Sequence, residues 1–393
     1  ENRKVRKMGY QIKIPSCVYA GVGSIEEIGT ILKQESSKKA LVFTDKGVAG
    51  AGLLDKLTAV LERTGVEYKV FDGLNPEPAY TDVEKVVEQM NREDGDIIIA
   101  IGGGSVMDAA KLCSLLKGSS CTVTDLLTDP LLASKQMKTI MIPTTCGTGS
   151  EATCNAIVAI PEEQSKKGIV NAEMIPDYVI LDAQMIAGLP ASIVATTGVD
   201  ALAHVVECFT SKKATPLSDT YAAAGAKLIF RNIEEAYRNP GDMEARSNMM
   251  LGAFYGGVAI TGSGTTAVHA LSYPLGGKYH IPHGVSNAIL FAHVMAFNKD
   301  ACAGRLGVLC DAVYPERAAL GTEEKADYMI GRIAAIVENT EIPIHLNAFG
   351  VKMADLDLLV DAGSKQQRLL VNNRKKLSLE DIRAIYLKVL KEE

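Results

Sequence analysis

The chain is poor in aromatic residues: tryptophan is absent, and aromatic side chains make up only 5% of the 393 residues. Basic residues are not in excess either, because the formal net charge is −6. This composition disfavours nucleic acid as a partner. No run of about 18 uninterrupted apolar residues occurs, and the N-terminus lacks the apolar core of a signal peptide. We therefore expect no membrane span and a small molecule as the ligand.

The cysteines indicate a reducing environment. None of the eight forms a Cys-x-x-Cys pair, which together with the missing signal peptide predicts a cytoplasmic protein. Cys146 and Cys154 lie in a loop region, where we expect them to behave as small buried apolar residues rather than as nucleophiles.

The pattern of apolar residues divides the chain into two predicted domains. In residues 1–187, nearly continuous apolar runs alternate with helical segments, which favours a doubly wound α/β domain with a parallel sheet. The predicted strands are 40–44, 68–71, 96–101, 139–142 and 178–181, with a helix at 82–92. In residues 188–393 helical periodicity dominates, most clearly at 200–209, 219–236, 325–339 and 379–390. The second domain is therefore predicted to be all-helical.

A glycine-rich turn follows the predicted strand at 96–101. Gly102, Gly103, Gly104 and Ser105 precede a helical segment, so the free N–H groups of the first turn are expected to face a pyrophosphate. Ser105 and Asp108 also have the spacing of a helix N-cap. Taken alone, the turn is about as consistent with an ordinary tight βα connection.

Two further features favour a dinucleotide site. Asp45 follows the strand at 40–44, where a carboxylate accepts hydrogen bonds from ribose hydroxyls and repels a 2′-phosphate, which predicts NAD over NADP. The order is unusual, since Asp45 precedes Gly102 by 57 residues instead of following it (102 − 45). A turn at Asp45 is an equally simple interpretation. The loop at 143–151 carries Thr144, Thr145 and Thr148 just after the strand at 139–142.

Histidines are concentrated in the second half of the chain. His269, His280, His283 and His293 lie within 25 residues, and Asp200 and His204 share one face of a predicted helix. Pro274, Gly276, Gly277 and Pro282 are expected to break any single helix between them. Imidazoles with one carboxylate suit Fe(II) or Zn(II), and a site with an open coordination position is catalytic.

Several motifs in one order resemble the iron-containing (group III, metal-dependent) alcohol dehydrogenases over essentially the whole chain. They are Gly102-Gly-Gly-Ser105-x-x-Asp108, Pro143-Thr-Thr-x-Gly-Thr-Gly-Ser-Glu151, Gly198-x-Asp200-Ala-Leu-x-His204-x-x-Glu207, Pro282-His283-Gly284 and a closing Asn372-Asn-Arg374…Leu379-Glu-Asp-Ile-x-x-Ile-Tyr386. The resemblance implies an N-terminal dinucleotide-binding domain and a C-terminal helical metal-binding domain, in the dehydroquinate synthase-like architecture.

The resemblance also implies roles for individual residues. The implied metal ligands are Asp200, His204, His269 and His283. The implied cofactor-binding residues are Asp45, Gly102, Gly103, Gly104, Ser105, Asp108, Thr144, Thr145, Thr148 and Lys166, with Asn155 in the substrate pocket. The implied cofactors are NAD(H) and one divalent metal, Fe(II) in preference to Zn(II), and the expected assembly is a homodimer or larger homo-oligomer.

The chain departs from the family at Tyr273, where many members have a second histidine proposed to move protons. A phenol has an ordinary pKa near 10, so that relay is in doubt, and His280 is a weak substitute. Glu207 is either a partner that orients a ligand imidazole or a solvated glutamate. His293 and His345 are expected to lie outside the site.

The implied activity is hydride transfer between NAD(H) and a small primary alcohol or aldehyde, in the direction of aldehyde reduction. An anionic aldehyde or hydroxy acid, such as a 4-hydroxybutyrate-like, sulfonated or phosphonated compound, is the alternative substrate class. A lyase of the dehydroquinate synthase type and a non-catalytic NAD sensor are further interpretations.

Overall fold

The N-terminal half is built on a six-stranded parallel sheet. The computed structural model describes residues 9–163 and 165–391. The sheet has the order β1-β8-β5-β4-β2-β3. Its strands are β1 (Cys17–Ala20), β2 (Lys39–Phe43), β3 (Glu67–Phe71), β4 (Ile97–Gly102), β5 (Lys138–Pro143) and β8 (Tyr178–Leu181). The five predicted strands are confirmed within one residue at each end, and β1 was not predicted.

Side chains on the two faces of the sheet feed two separate apolar cores. Leu41 and Phe43 of β2 belong to one core, whereas Ala40 and Val42 belong to the other. Helices cover both faces, which is why the central strands are apolar throughout. The helices of this half are α1 (Glu27–Gln34), α2 (Lys46–Gly50), α3 (Leu53–Thr64), α4 (Tyr80–Asn91), α5 (Gly104–Leu116) and α6 (Val123–Thr128). The predicted doubly wound α/β domain is confirmed.

An antiparallel hairpin, not predicted from the sequence, extends from this half. It consists of β6 (Asn155–Ile160) and β7 (Ser165–Val170). Ala156, Val158 and Ile169 fill the core beneath α4 and α5, while the outer face of the hairpin borders α10 of the helical half. The hairpin therefore forms one wall of the space between the two halves.

The C-terminal half is helical. Its helices are α7 (Ala191–Thr210), α8 (Pro216–Arg238), α9 (Met243–Ser263), α10 (Ala267–Tyr279), α11 (His283–Val313), α12 (Thr322–Asn339), α13 (Leu356–Ser364), α14 (Gln367–Leu370) and α15 (Leu379–Val389). By length and composition α7 is apolar enough to cross a membrane, but 83% of that window is buried inside the protein. It packs against α8, α9 and α11 as the central helix of one large core.

The predicted break within residues 269–283 is only partly correct. Helix α10 continues through Pro274, Gly276 and Gly277, and the chain turns at residues 280–282 instead. Proline removes a backbone donor and frees carbonyls one turn earlier. The hydroxyl of Tyr386 in α15 donates to the carbonyl of Leu271 at 2.7 Å. This contact joins α15 to α10 just before Pro274, and local sequence does not reveal it.

The boundary predicted between residues 187 and 188 falls in the connection between β8 and α7. That the chain divides into two domains at this position remains a prediction.

Candidate metal and cofactor site

The predicted metal ligands come from three helices that meet at one point. Asp200 and His204 lie one turn apart on α7, His269 lies on α10, and His283 begins α11. Nε2 of His269 and Nε2 of His283 each lie 3.5 Å from Oδ1 of Asp200. The ligating atoms of these three residues lie within 4.8 Å of one another. His204 lies beside them, with Nε2 3.8 Å from Asp200 Oδ1 and its ring stacked on His269.

Glu207 orients one of these imidazoles. It is fully buried, and its Oε2 contacts Nδ1 of His269. Its Oε1 accepts from the backbone N–H groups of Thr266 (3.1 Å) and Val268 (2.8 Å) and from the Thr266 hydroxyl (2.6 Å). With Nδ1 held by a carboxylate, Nε2 is the nitrogen that faces Asp200 and is left for a metal. Glu207 is thus a ligand-orienting residue and not a solvated one.

Asn287 is part of this site and was missed from the sequence. It lies one helical turn after His283 on α11, so the i, i+4 spacing was the available signal. Its Nδ2 donates to Asp200 Oδ1 at 2.7 Å and lies 3.3 Å from Nε2 of both His269 and His283.

The electrostatics of the cluster suit a cation. Burial lowers the pKa of His204 and of His283, so both imidazoles are neutral near pH 7. Burial alone would raise the pKa of Asp200, but His204, His283 and His269 hold it well below its usual range. His204 and His283, neutral beside an ionised Asp200, are in the protonation states that a divalent metal needs. Burial disfavours a charged His269, but Glu207 and Asp200 raise its pKa to about 9, so metal binding displaces a proton from that ring. The donor set therefore fits Fe(II) or Zn(II).

A cavity of about 500 Å³ opens beside the metal cluster. Its wall includes the predicted residues Asn155, Lys166, Thr148 and Tyr273. Lys166 on β7 forms an ion pair with Glu77. The hairpin therefore delivers both the predicted cofactor-side lysine and the predicted substrate-pocket asparagine.

Tyr273 lines this cavity next to the metal cluster. Its ring centroid lies 5.9 Å from that of His283. Burial raises the pKa of the phenol, and the neighbouring Arg368 opposes this effect. The hydroxyl is therefore a hydrogen-bond donor near neutral pH and does not replace a histidine as a proton relay.

A second cavity, of about 690 Å³, lies at the carboxyl ends of the strands. Asp45, Gly103, Thr144 and Thr145 line it, as predicted for a dinucleotide. Asp45 caps α2 by accepting from the N–H of Val48 at 2.9 Å, so both interpretations of this residue agree with its position. Gly104 and Ser105 line both cavities. A ligand bound across them would extend from Asp45 to the metal cluster.

Two of the three glycines of this turn are required by close packing. A Cβ on Gly102 would lie 2.6 Å from Cβ of Val106, and a Cβ on Gly104 would lie 2.8 Å from the Thr148 side chain. The turn therefore brings backbone N–H groups against the cavity with no side chain in the way.

The predicted N-cap at Ser105 is wrong. Helix α5 already begins at Gly104, and the Ser105 hydroxyl accepts from the N–H of Glu77 at 3.1 Å. Asp108 borders the cavity, but it pairs with Lys111 at 2.9 Å and accepts from the Ser150 hydroxyl and from the N–H of Ile157. Asp108 is thus held in a structural network that ties α5 to the hairpin.

The closing motif connects the segments that carry the metal ligands. Asn372 donates to the carbonyl of Thr265 at 2.9 Å, and Arg374 donates to the carbonyl of Thr210 at 2.9 Å. Asn373 and Asn298 exchange two amide hydrogen bonds, of 2.9 and 2.7 Å. These contacts reach the end of α7, the residues before α10, and α11.

The remaining histidines and loop cysteines lie outside the cluster. His280 is exposed at the C-cap of α10, and His293 packs near His345. Burial raises the pKa of Cys146 and of Cys154, in agreement with the prediction that neither is a nucleophile.

Comparison with known families decides the class of this fold and site. The model of iron-containing alcohol dehydrogenases matches residues 15–183, and the model of the C-terminal part of the Fe-containing alcohol dehydrogenase family matches residues 194–390. The chain belongs to the iron-containing alcohol dehydrogenase family. The resemblance in the motifs is therefore confirmed, as are the expected enzyme class, an alcohol/aldehyde oxidoreductase, and its cofactors, NAD and a divalent metal.

Individual relatives match over nearly their full length. Long-chain-alcohol dehydrogenase 1 of Geobacillus thermodenitrificans is 34% identical over 379 residues, which cover 96% of this chain and 95% of that protein. A solved 1,3-propanediol oxidoreductase superposes with a TM-score of 0.92 at 30% identity, covering 97% of this chain and 100% of that one. Sulfoacetaldehyde reductase from Bifidobacterium kashiwanohense, solved in complex with NAD+, gives 0.89 at 26% identity, covering 98% and 100%. The dehydroquinate synthase-like architecture is confirmed.

Proposed function

We propose that this dehydrogenase reduces a small aldehyde with NADH in the cleft between its two halves. One observation carries the proposal: the cavity beside Asp200, His269 and His283 shares Gly104 and Ser105 with the cavity that contains Asp45. Adjoining cavities let one dinucleotide place its adenosine at one end and its nicotinamide at the other.

We assign the metal to Asp200, His204, His269 and His283. In the cofactor cavity, Asp45 is assigned to the ribose, the glycine turn to the pyrophosphate, and Thr144, Thr145 and Thr148 to further cofactor contacts. The position of Asp45 at a strand end supports NAD over NADP, because a carboxylate repels a 2′-phosphate. The family description supports iron before zinc.

The chemistry divides between the bound groups and the chain. When bound, the divalent metal polarises the carbonyl as a Lewis acid, and NADH supplies the hydride. The chain aligns the reactants in the cleft, which lowers the barrier by orientation. Glu207 keeps His269 in the ligating tautomer, and Asn155 borders the substrate. Tyr273 remains protonated and offers a hydrogen bond.

We further propose a cytoplasmic homodimer or larger homo-oligomer. All eight cysteines are free, which supports a reducing compartment. Strand β1 lies at one end of the sheet with β8 as its sheet neighbour, so its outer edge is available for pairing with a second copy. Light scattering on the purified protein tests the assembly, and a monomer at micromolar concentration would contradict it.

The reaction is tested by NADH oxidation with chelator-stripped protein re-supplied with Fe(II) or Zn(II). We expect metal-dependent turnover of small aldehydes with stoichiometric loss of NADH. His204→Ala, with one ligand removed, is expected to lose most of its bound metal, measured by elemental analysis. Near-normal metal content in that variant would refute the ligand assignment, and turnover without net NADH consumption would favour the lyase.

A further inference from the structure

The cavity beside the metal cluster contains more positive charge than its acids neutralise. Glu77 is paired with Lys166, and Asp200 belongs to the metal cluster. The third acid, Asp108, has its own ion pair with Lys111. Two further cations line the cavity, Arg368 and Lys213, and within residues 9–163 and 165–391 neither has an acidic partner. A bound divalent metal adds to this excess, so the cavity favours an anion.

Arg368 is an exposed residue that lines the cavity beside Tyr273. It belongs to the short helix α14, which packs against α10, and its guanidinium lies beside Tyr273. On its other side is β7, where a Cβ on Gly168 would lie only 3.2 Å from Nη2 of Arg368. A glycine at this point of the hairpin makes room for the guanidinium. Tyr273 therefore contacts Arg368 and also lies next to His283, with 5.9 Å between the centroids of the two rings.

We propose that Arg368 binds an anionic group at the far end of a short aldehyde substrate whose carbonyl lies at the metal. This inference deepens the proposed function and rests on it. A guanidinium presents paired donors that match the two oxygens of a carboxylate or sulfonate. A neutral aldehyde cannot form these charge-assisted hydrogen bonds. The natural substrate class is thus a small aldehyde that carries an acid a few carbons from its carbonyl.

The first test compares two aldehydes of the same length, 4-oxobutanoate and butanal, with the metal-loaded enzyme and NADH. We expect wild-type kcat/KM to favour 4-oxobutanoate, and Arg368→Gln to lower the ratio of the two constants by about tenfold to a hundredfold, the range of a hydrogen bond to a charged group. Most of that loss is expected in KM for 4-oxobutanoate. Arg368→Lys is expected to restore part of it, since it keeps the charge but not the paired donors. Sulfoacetaldehyde in the same assay separates a sulfonate from a carboxylate substrate.

Lys213→Gln is the matched control, because it removes the same charge from the same cavity without touching Tyr273. We expect its effect on the ratio to be clearly smaller than that of Arg368→Gln. Equal losses in both variants would show that only the overall charge of the cavity matters, and would overturn the assignment to Arg368. An increase in KM for NADH in Arg368→Gln, equal with both aldehydes, would place Arg368 on the cofactor and overturn it too.

A binding measurement separates this inference from the proposed reaction. Calorimetry follows 4-hydroxybutanoate and butan-1-ol binding to the enzyme–NADH complex, in which no hydride acceptor is present. We expect 4-hydroxybutanoate to bind more tightly, and to lose that advantage in Arg368→Gln. Equal binding of the two alcohols would refute the anion site even if butanal is turned over. Selective binding without any turnover would refute the proposed reaction and leave the anion site supported.

Discussion

Replacing Glu207 by glutamine tests how the metal site is oriented. Three donors converge on Oε1 of Glu207, from the N–H of Thr266, the N–H of Val268 and the Thr266 hydroxyl. In Glu207→Gln the amide oxygen must stay with these donors, because an NH2 group there would leave them unpaired. The NH2 group then faces Nδ1 of His269, which must become an acceptor. The proton moves to Nε2, the atom that faces Asp200, and His269 can no longer ligate in that tautomer.

The size of the effect follows from what the wild-type contact does. Burial disfavours a charged His269, but Glu207 and Asp200 together raise its pKa to about 9, so Glu207 is a strong electrostatic partner of this ring. Loss of a partner that orients a ligand imidazole typically reduces metal affinity by about tenfold to a hundredfold. We expect a loss in that range for Fe(II) or Zn(II), with the chain still folded, since the three donors keep their acceptor.

The assay is competition for the metal against a chelator of known affinity, read by elemental analysis after dialysis. Circular dichroism and the unfolding midpoint report on the fold. Glu151→Gln is the matched control, because Glu151 is also buried and its side chain contacts none of the metal ligands in the hydrogen bonds of the described residues. Metal affinity of folded Glu207→Gln within about twofold of wild type would refute this account of the tautomer.

Three other predictions follow from single contacts. Asp45→Asn keeps a side-chain oxygen for the N–H of Val48 but removes the charge, so we expect the preference for NADH over NADPH to narrow by about tenfold. An unchanged ratio of kcat/KM for the two cofactors would contradict the role of Asp45. Gly149→Ala is expected to lower the free energy of unfolding by about 1–3 kcal/mol, because Gly149 has φ +61° and a Cβ there would lie 2.6 Å from Cα of Gly257. The measurement is a denaturant titration, and a midpoint equal to that of wild type would refute the tight contact. Burial raises the pKa of Glu151 to about 7, so the folded state holds a proton that the unfolded state releases near pH 4.5, and stability falls as the pH rises between these values. Glu151→Gln should remove this loss of stability, which is worth about 3 kcal/mol. The free energy of unfolding of the variant minus that of wild type should therefore be larger at pH 8 than at pH 5, and an equal difference at the two pH values would contradict the raised pKa.

The sequence alone predicted those features of the fold and site that short-range patterns of residues encode. The buried strands are continuous apolar runs, and the metal ligands on α7 are one turn apart, so both could be recognised without tertiary information. The hairpin was missed because β7 is mostly polar, so the apolar run of β6 had no recognisable partner strand. The course of α10 through Pro274 was missed because proline usually ends or breaks a helix, and the contact of Leu271 with Tyr386 joins residues more than 100 positions apart.

The same limit applies within the site. Asn287 has the spacing of a partner of His283, but its amide is recognisable as part of the site only once three helices converge on it. Arg368 is one of several basic residues in its part of the sequence, which offers no sign that α14 brings it to the cavity of Tyr273. Residues that act through long-range contacts are therefore those that local sequence reveals least.

The contacts of Asn372, Asn373 and Arg374 have a consequence for the order in which the enzyme matures. These residues connect the segments around the four proposed metal ligands, yet they are synthesised after all four. A nascent chain that ends before Asn372 already has every proposed metal ligand but lacks these contacts between their helices. We therefore expect metal to be captured firmly only when synthesis is nearly finished. A chain truncated after Val371 that retained metal as well as the full-length protein would show that these contacts are dispensable.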